Sequence, residues 1–183
     1  MPCDKSTLLE FLEVLNEELT KKVTLVAVGG TAMTLLDLKP STMDIDFTIP
    51  SNDLPEFERA LKNNPSGFKI DRWSDGQVFC QTLPDDYIHK SIKIRHYTHI
   101  LLKALHPVDI VVTKIGRLNQ RDIQDIETCI RKSKITKEEI TARAALVSPT
   151  YVSKEEDYLY HLNWIIKKFY QPPRNSPNST HPK

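Results

Sequence analysis

Residues 28–47 read VGGTAMTLLDLKPSTMDIDF, from Val28 to Phe47. The β-branched run Val23–Val28 predicts a short strand, and Gly29-Gly30 ends it. Thr31–Leu38 restarts as a short helix, which Pro40 closes. Met43–Ile49 then alternates, with Ile45, Phe47 and Ile49 on one face and Asp44 and Asp46 on the other. Two glycines let a backbone approach a ligand closely, and amides at a helix start favour phosphate. Thr31 adds a hydroxyl at the same place. A tight strand–helix turn explains Gly-Gly equally well. The two carboxylates sit roughly 7 Å apart along one strand face. Like charges so placed need water, basic partners or a metal. Hard carboxylate oxygens suit Mg²⁺, which binds through one or two of them plus substrate phosphates. A solvent-facing polar strand edge is the other reading of a lone Asp-x-Asp.

Outward from this stretch the periodicities alternate. Leu8, Phe11, Leu12, Leu15 and Leu19 give a helix over 7–21, with Ser6 as N-cap. Ser51–Asn63 is an amphipathic helix with Leu54, Phe57 and Leu61 inward. Phe68–Trp73 and Gln77–Leu83 read as strands of a hairpin about Ser74-Asp75-Gly76. Asp85–Lys93 fits neither period, and Thr98–Leu105 is a further strand. From Pro107 the pattern is helical, with a junction near Asn119 and segments over 121–132, 137–146 and 154–170. The expected fold class is therefore α+β: a small mixed sheet with flanking helices and a helical C-terminal part. We expect an α/β core over 1–106, a helical part over 107–170 packed on it, and a disordered tail over 171–183, where four of the twelve prolines fall.

Composition narrows the function classes. Lys and Arg number 25 against 24 Asp and Glu, a net charge of +1, which excludes a grossly basic nucleic-acid protein but not a local basic patch. No apolar run approaches the ~20 residues of a membrane helix, and the N-terminus lacks the pattern of a signal peptide. Cys3, Cys80 and Cys129 are odd in number and widely spaced, so they read as reduced thiols of a cytoplasmic protein. His89, His96, His99 and His106 lack the spacing of a zinc site. Tyr158 and Trp164 read as anchors rather than stacking platforms.

Together, Val28-Gly29-Gly30-Thr31 and Met43-Asp44-Ile45-Asp46-Phe47 resemble the nucleotidyltransferase superfamily of polymerase-β-like architecture. The variant is most similar to the AbiEii-type abortive-infection toxins and their uncharacterised relatives. A second block, VDIVVTKIGRLNQRDIQDI over Val108–Ile126, extends the resemblance through Lys114, Arg117, Arg121, Asp122 and Asp125. On a continuous helix Lys114, Arg117, Arg121 and Asp125 would share about one face, either a phosphate-holding face or a solvated salt-bridge face.

The resemblance implies a Mg²⁺-dependent transfer of NMP from an NTP to a hydroxyl of RNA, tRNA or protein, with an antitoxin as a further partner. It implies Asp44 and Asp46 as metal ligands, with Asp71 as the third metal-binding acid, helping a second metal activate the acceptor hydroxyl; an ordinary polar strand is the other reading of Asp71, and Asp109 is its weaker rival. Gly29, Gly30 and Thr31 would cradle phosphates with Lys114, Arg117 and Arg121, and Asp125 would join the catalytic set. Lys114 should project into the Asp44/Asp46 cleft, and its replacement by Met should weaken NTP binding or transfer while leaving folding nearly intact, as a surface change does. A non-catalytic nucleotide- or RNA-binding module of the same fold is the alternative.

Overall fold

The computed structural model describes residues 2–65 and 67–171. Helix α1 (Lys5–Glu18) buries Leu8, Leu12 and Leu15, and half-buried Phe11 meets Phe68 edge-on at 6.3 Å. Its N-cap is Asp4 rather than Ser6, because the Asp4 side chain accepts from the Thr7 amide at 2.9 Å. Before it, β1 (Cys3–Asp4) pairs with β3 (Ser41–Thr42), a contact too short to leave a period in sequence.

Five strands form the main sheet: β2 (Val23–Ala27), β4 (Ile45–Ile49), β5 (Ile70–Ser74), β8 (Ile92–His96) and β9 (Ile100–Ala104). Their order is β5-β4-β2-β9-β8. β2 runs antiparallel to β4 and parallel to β9; β4 and β5 are parallel, and β8 and β9 antiparallel. The sheet is thus mixed, as expected. Phe47 packs edge-on against Phe57 of α3 (Leu54–Asn63), at 6.0 Å between ring centres. Alternation then puts Asp46 and Thr48 on the other sheet face.

Two expectations need correction. β5 does not pair with the segment after Asp75-Gly76; it pairs with β4 in parallel. Residues 77–82 fold on themselves instead, as the hairpin β6 (Gln77–Val78) and β7 (Gln81–Thr82) turning at Phe79-Cys80. Gly76 takes φ +77 and its amide donates to the Thr48 hydroxyl, which turns the chain off the sheet. The ambiguous 85–93 stretch holds a one-turn helix, α4 (Tyr87–Lys90), and the start of β8.

The C-terminal helices are α2's neighbour α5 (Pro107–Ile115), then α6 (Gln120–Ser133), α7 (Lys137–Val147) and α8 (Glu155–Tyr170), with α2 itself spanning Gly29–Leu35. The second correction lies here. The junction expected near Asn119 is there, for Leu118 takes φ +38 and Asn119 caps α6, accepting from the Arg121 and Asp122 amides, so the one-face arrangement of a continuous helix over 108–126 does not hold. α5 and α6 therefore fold against each other. Tyr158 is fully buried and its hydroxyl donates to the Val112 carbonyl at 2.9 Å, which pins α8 to α5. The expected tail lies outside the described residues, apart from Gln171. Among the described residues no helix is long and apolar enough to cross a membrane.

Candidate active site

The β2–α2 turn is built around two glycines with different reasons. Gly29 takes φ +53, and a Cβ there would stand 3.1 Å from the Phe79 ring and 3.5 Å from Asp46 Oδ2. At Gly30 a Cβ would stand 2.7 Å from the Thr42 hydroxyl. Thr31 is fully buried; its hydroxyl accepts from the Asp46 amide at 2.9 Å and donates to the Asp44 carbonyl at 3.2 Å. Thr42 donates to the same carbonyl at 2.8 Å. Two hydroxyls thus fix the loop that carries Asp44, which precedes β4 and is exposed.

Asp46 is 8% exposed and stands opposite Asp71 in the β4–β5 register. Burial, then Asp71, then Asp44 push its carboxyl up to about 6, against smaller opposing pulls from Arg117 and Lys69. Three carboxylates therefore crowd one end of a cleft of about 400 Å³. Lys69 stands on Asp71 at 2.6 Å. Among the described residues no three His, Cys, Asp or Glu are set to hold one metal ion by themselves. One or two carboxylates are what Mg²⁺ needs when nucleotide phosphates complete its shell. The mutually repelling set of buried Asp46 with exposed Asp44 and partly exposed Asp71 fits such an ion.

The opposite wall comes from the α5–α6 turn and Lys39. Lys114 lines the same cleft as Asp44 and Asp46, but it is 3% exposed and tied to Asp122 Oδ1 at 3.0 Å and Asp125 Oδ2 at 2.9 Å. It is a buried ion-pair centre, not a surface lysine, so the expectation that Lys114→Met spares folding is overturned. The Arg117 Nη2 donates to Asp122 Oδ1 at 2.9 Å, and the Lys39 ammonium to Asp125 at 3.1 Å. Asp122 Oδ2 is buried with no partner among the described residues. Arg121 is exposed at the rim. Lys39, Lys69, Lys114, Arg117 and Arg121 thus line one cleft with Asp44, Asp46, Asp71, Asp122 and Asp125, with Lys69 on the Asp71 side and Asp122 and Asp125 among the cations of the α5–α6 wall.

The cleft adds Lys39, Thr42, Lys69, Trp73 and Phe79 to the residues singled out from sequence. Lys69 and Trp73 flank Asp71 at period two and could have been read from that alternation. Lys39 and Phe79 arrive through tertiary contacts and carry no local signal. Asp109, the rival acid, lies elsewhere: it is 1% exposed and held by the Arg143 guanidinium, which also reaches Asp86 at 2.7 Å. The His106 ring caps α5, and the His99 ring meets the Asn16 carbonyl at 3.3 Å.

Residues 6–171 match the model of a family described as "Nucleotidyltransferase of unknown function (DUF6036)". A crystal structure of ANT(2")-Ia in complex with adenylyl-2"-tobramycin is similar over 77% of this chain and 95% of that one, with a TM-score of 0.53 and 13% identity. At that identity the likeness is one of fold. Among curated proteins none matches the chain. With nearly its whole described length matched, the chain belongs to the DUF6036 nucleotidyltransferase family.

Proposed function

We propose that the protein transfers an NMP from an NTP, with Mg²⁺, to a hydroxyl of an RNA, a tRNA or a protein. The observation that carries the reading is the crowding of Asp44, Asp46 and Asp71 in a cleft that also holds Lys39, Lys114, Arg117 and Arg121. Asp44 and Asp46 would hold Mg²⁺, which supplies charge neutralisation and Lewis acidity to the phosphates when bound. The backbone at Gly29 and Gly30 lies against the nucleotide, with Thr31 holding the Asp44 loop in place behind it. Lys114, Arg117 and Arg121 face the triphosphate, and Asp125 with Asp122 sets the Lys114 ammonium. Asp71 accepts the proton of the acceptor hydroxyl as its oxygen attacks the α-phosphorus; the bond to the β-phosphate oxygen breaks and pyrophosphate leaves.

The rim argues about the acceptor. Lys39, Lys69 and Arg121 are its accessible cations. Lys39 is answered by Asp125 and Lys69 by Asp71, which leaves Arg121 to meet an anionic acceptor. The Gly-Gly-Thr and Asp-x-Asp spacing supports an AbiEii-like toxin role with an antitoxin partner in the cytoplasm.

The test is transfer of label from each of the four α-³²P-NTPs to cellular RNA and protein. Mg²⁺-dependent labelling that Asp46→Asn abolishes is the expected result. Nucleotide binding that persists with no labelling of any acceptor would replace the enzyme with a binding module, a reading that the Lys69–Asp71 pair supports. Loss of both would end the proposal.

A further inference from the structure

We propose that Phe79, at the tip of the 77–82 hairpin, is a positioning residue that holds Arg117 ready for the nucleotide phosphates, an inference that rests on the function proposed above. Phe79 is the first residue of a two-residue turn and takes φ +53. That conformation belongs to Gly, Asn or Asp in hairpin turns, and a bulky side chain adopts it at a cost. Backbone strain of this kind persists where the surroundings over-determine it, most often at functional sites. Here the surroundings are three contacts of one ring. The Arg117 guanidinium carbon lies 3.7 Å from the ring centre, well within cation–π reach. Trp73 meets the ring edge-on at 5.0 Å. The far edge of the ring fills the space that a Cβ on Gly29 would need.

The support itself is fixed. Gln81 donates to the Thr113 carbonyl at 2.8 Å, Thr82 to the Thr150 hydroxyl at 2.9 Å, and Val152 to the Cys80 carbonyl at 2.9 Å. The same hairpin presses on the root of Arg117. A Cβ at Gly116 would lie 2.8 Å from both Gln81 Oε1 and the Tyr151 ring, and the Tyr151 hydroxyl donates to the Gly116 carbonyl. Arg117 is thus held by its backbone, by a ring on its guanidinium face and by Asp122 at its edge. An arginine has several rotatable bonds, and ordering it beforehand removes that entropy from the binding step. Without the ring, only Asp122 would direct the guanidinium, and Asp46 would compete for it. One aromatic residue therefore spaces the Gly29 turn from the cation opposite and keeps that cation off the carboxylates.

The experiment has two readouts on the full chain. In ¹⁵N-labelled protein the Arg117 Nε–H resonance should be displaced by the ring current of Phe79. Phe79→Leu should return it to an unshifted position, while Phe79→Tyr should leave it in place. By calorimetry with Mg²⁺ and ATP, CTP, GTP or UTP in turn, Phe79→Leu should weaken binding about fivefold, within the range of a partly desolvated cation–π contact. Phe79→Tyr should bind like the parent. Arg117→Gln should also weaken binding, and Phe79→Leu added to it should do no further harm. Multiplying losses in the double variant, an unmoved Arg117 resonance in Phe79→Leu, or a moved resonance with unchanged affinity would each overturn the proposal. If the parent protein binds none of the four nucleotides, the proposed function fails, and the phosphate role of Arg117 with it. The resonance would then show separately whether the ring orders Arg117. Should Phe79→Leu not fold, the Arg117 Nε–H resonance of the parent decides, and an unshifted position there would overturn the proposal.

Discussion

Asp46 and Asp109 are both buried aspartates, 8% and 1% exposed, and burial raises the carboxyl of each above its ordinary value. Their neighbours differ in kind. Asp109 faces Arg143, which lies across it and continues to Asp86, so its charge is answered within the fold. Asp46 faces two more carboxylates, whose charges add to the effect of burial. The first arrangement holds α5 to α7; the second is only partly offset, by Arg117 and Lys69, and leaves negative charge for a ligand to neutralise. A buried carboxylate signals function by what is missing around it, and that distinction is visible only in the folded chain.

The largest expected effect tests the closed cluster. Arg143→Met should cost about 3–5 kcal/mol, since it strands a buried carboxylate. Urea unfolding measures it, and a loss below about 1 kcal/mol would mean that Asp109 finds relief elsewhere. The open cluster should respond with the opposite sign. The native Asp46 carboxyl titrates at about 6, above its unfolded value near 4, so the native state binds more protons between those values. Stability therefore falls as pH rises from about 4 to about 6. In metal-free buffer, Asp46→Asn should stabilise the protein by up to about 3 kcal/mol at pH 7.5, and by nothing at pH 4. A destabilised Asn variant at pH 7.5 would erase the contrast between the two aspartates.

Two lysines of the cleft sharpen the comparison further. Lys114→Met should cost about 2 kcal/mol, because Asp122 keeps Arg117 and Asp125 keeps Lys39 but both lose a buried donor. Thermal unfolding beside the parent checks this, and an unchanged midpoint would make Lys114 a binding group without a structural part. Lys69→Met removes a largely exposed pair and should stay within about 0.5 kcal/mol. A larger change in the same assay would show that Lys69 holds β5 as well as facing Asp71.

Much of this was legible before folding. Asp44, Asp46 and the Gly-Gly turn could be read because strand alternation and a backbone break are local signals, and so could the existence of the 107–170 helices. Asp71 could be proposed because it sits on a strand, but its place opposite Asp46 depends on a parallel pairing that no local period encodes. The same limit hid Lys39 on Asp125 and Phe79 on Arg117. The α5–α6 break was half legible. Asn119 marked the junction, while the positive φ of Leu118, which turns Lys114 toward Asp122 and Asp125, had no glycine to announce it.

The place of β2 in the sheet has a consequence for how the chain reaches its fold. One neighbour, β4, lies close along the chain, but the other is β9, so Val23 waits for Ile100. During synthesis the N-terminal half can draw β2 and β4 together early. The far side of β2, with Leu25, Val26 and Ala27 all destined for the core, stays an open apolar edge until β9 emerges. Closing so distant a pair makes the step slow. The nascent chain is thus most exposed to misassociation after Asp44, Asp46 and Asp71 have been made and before the strand that seals their sheet has arrived.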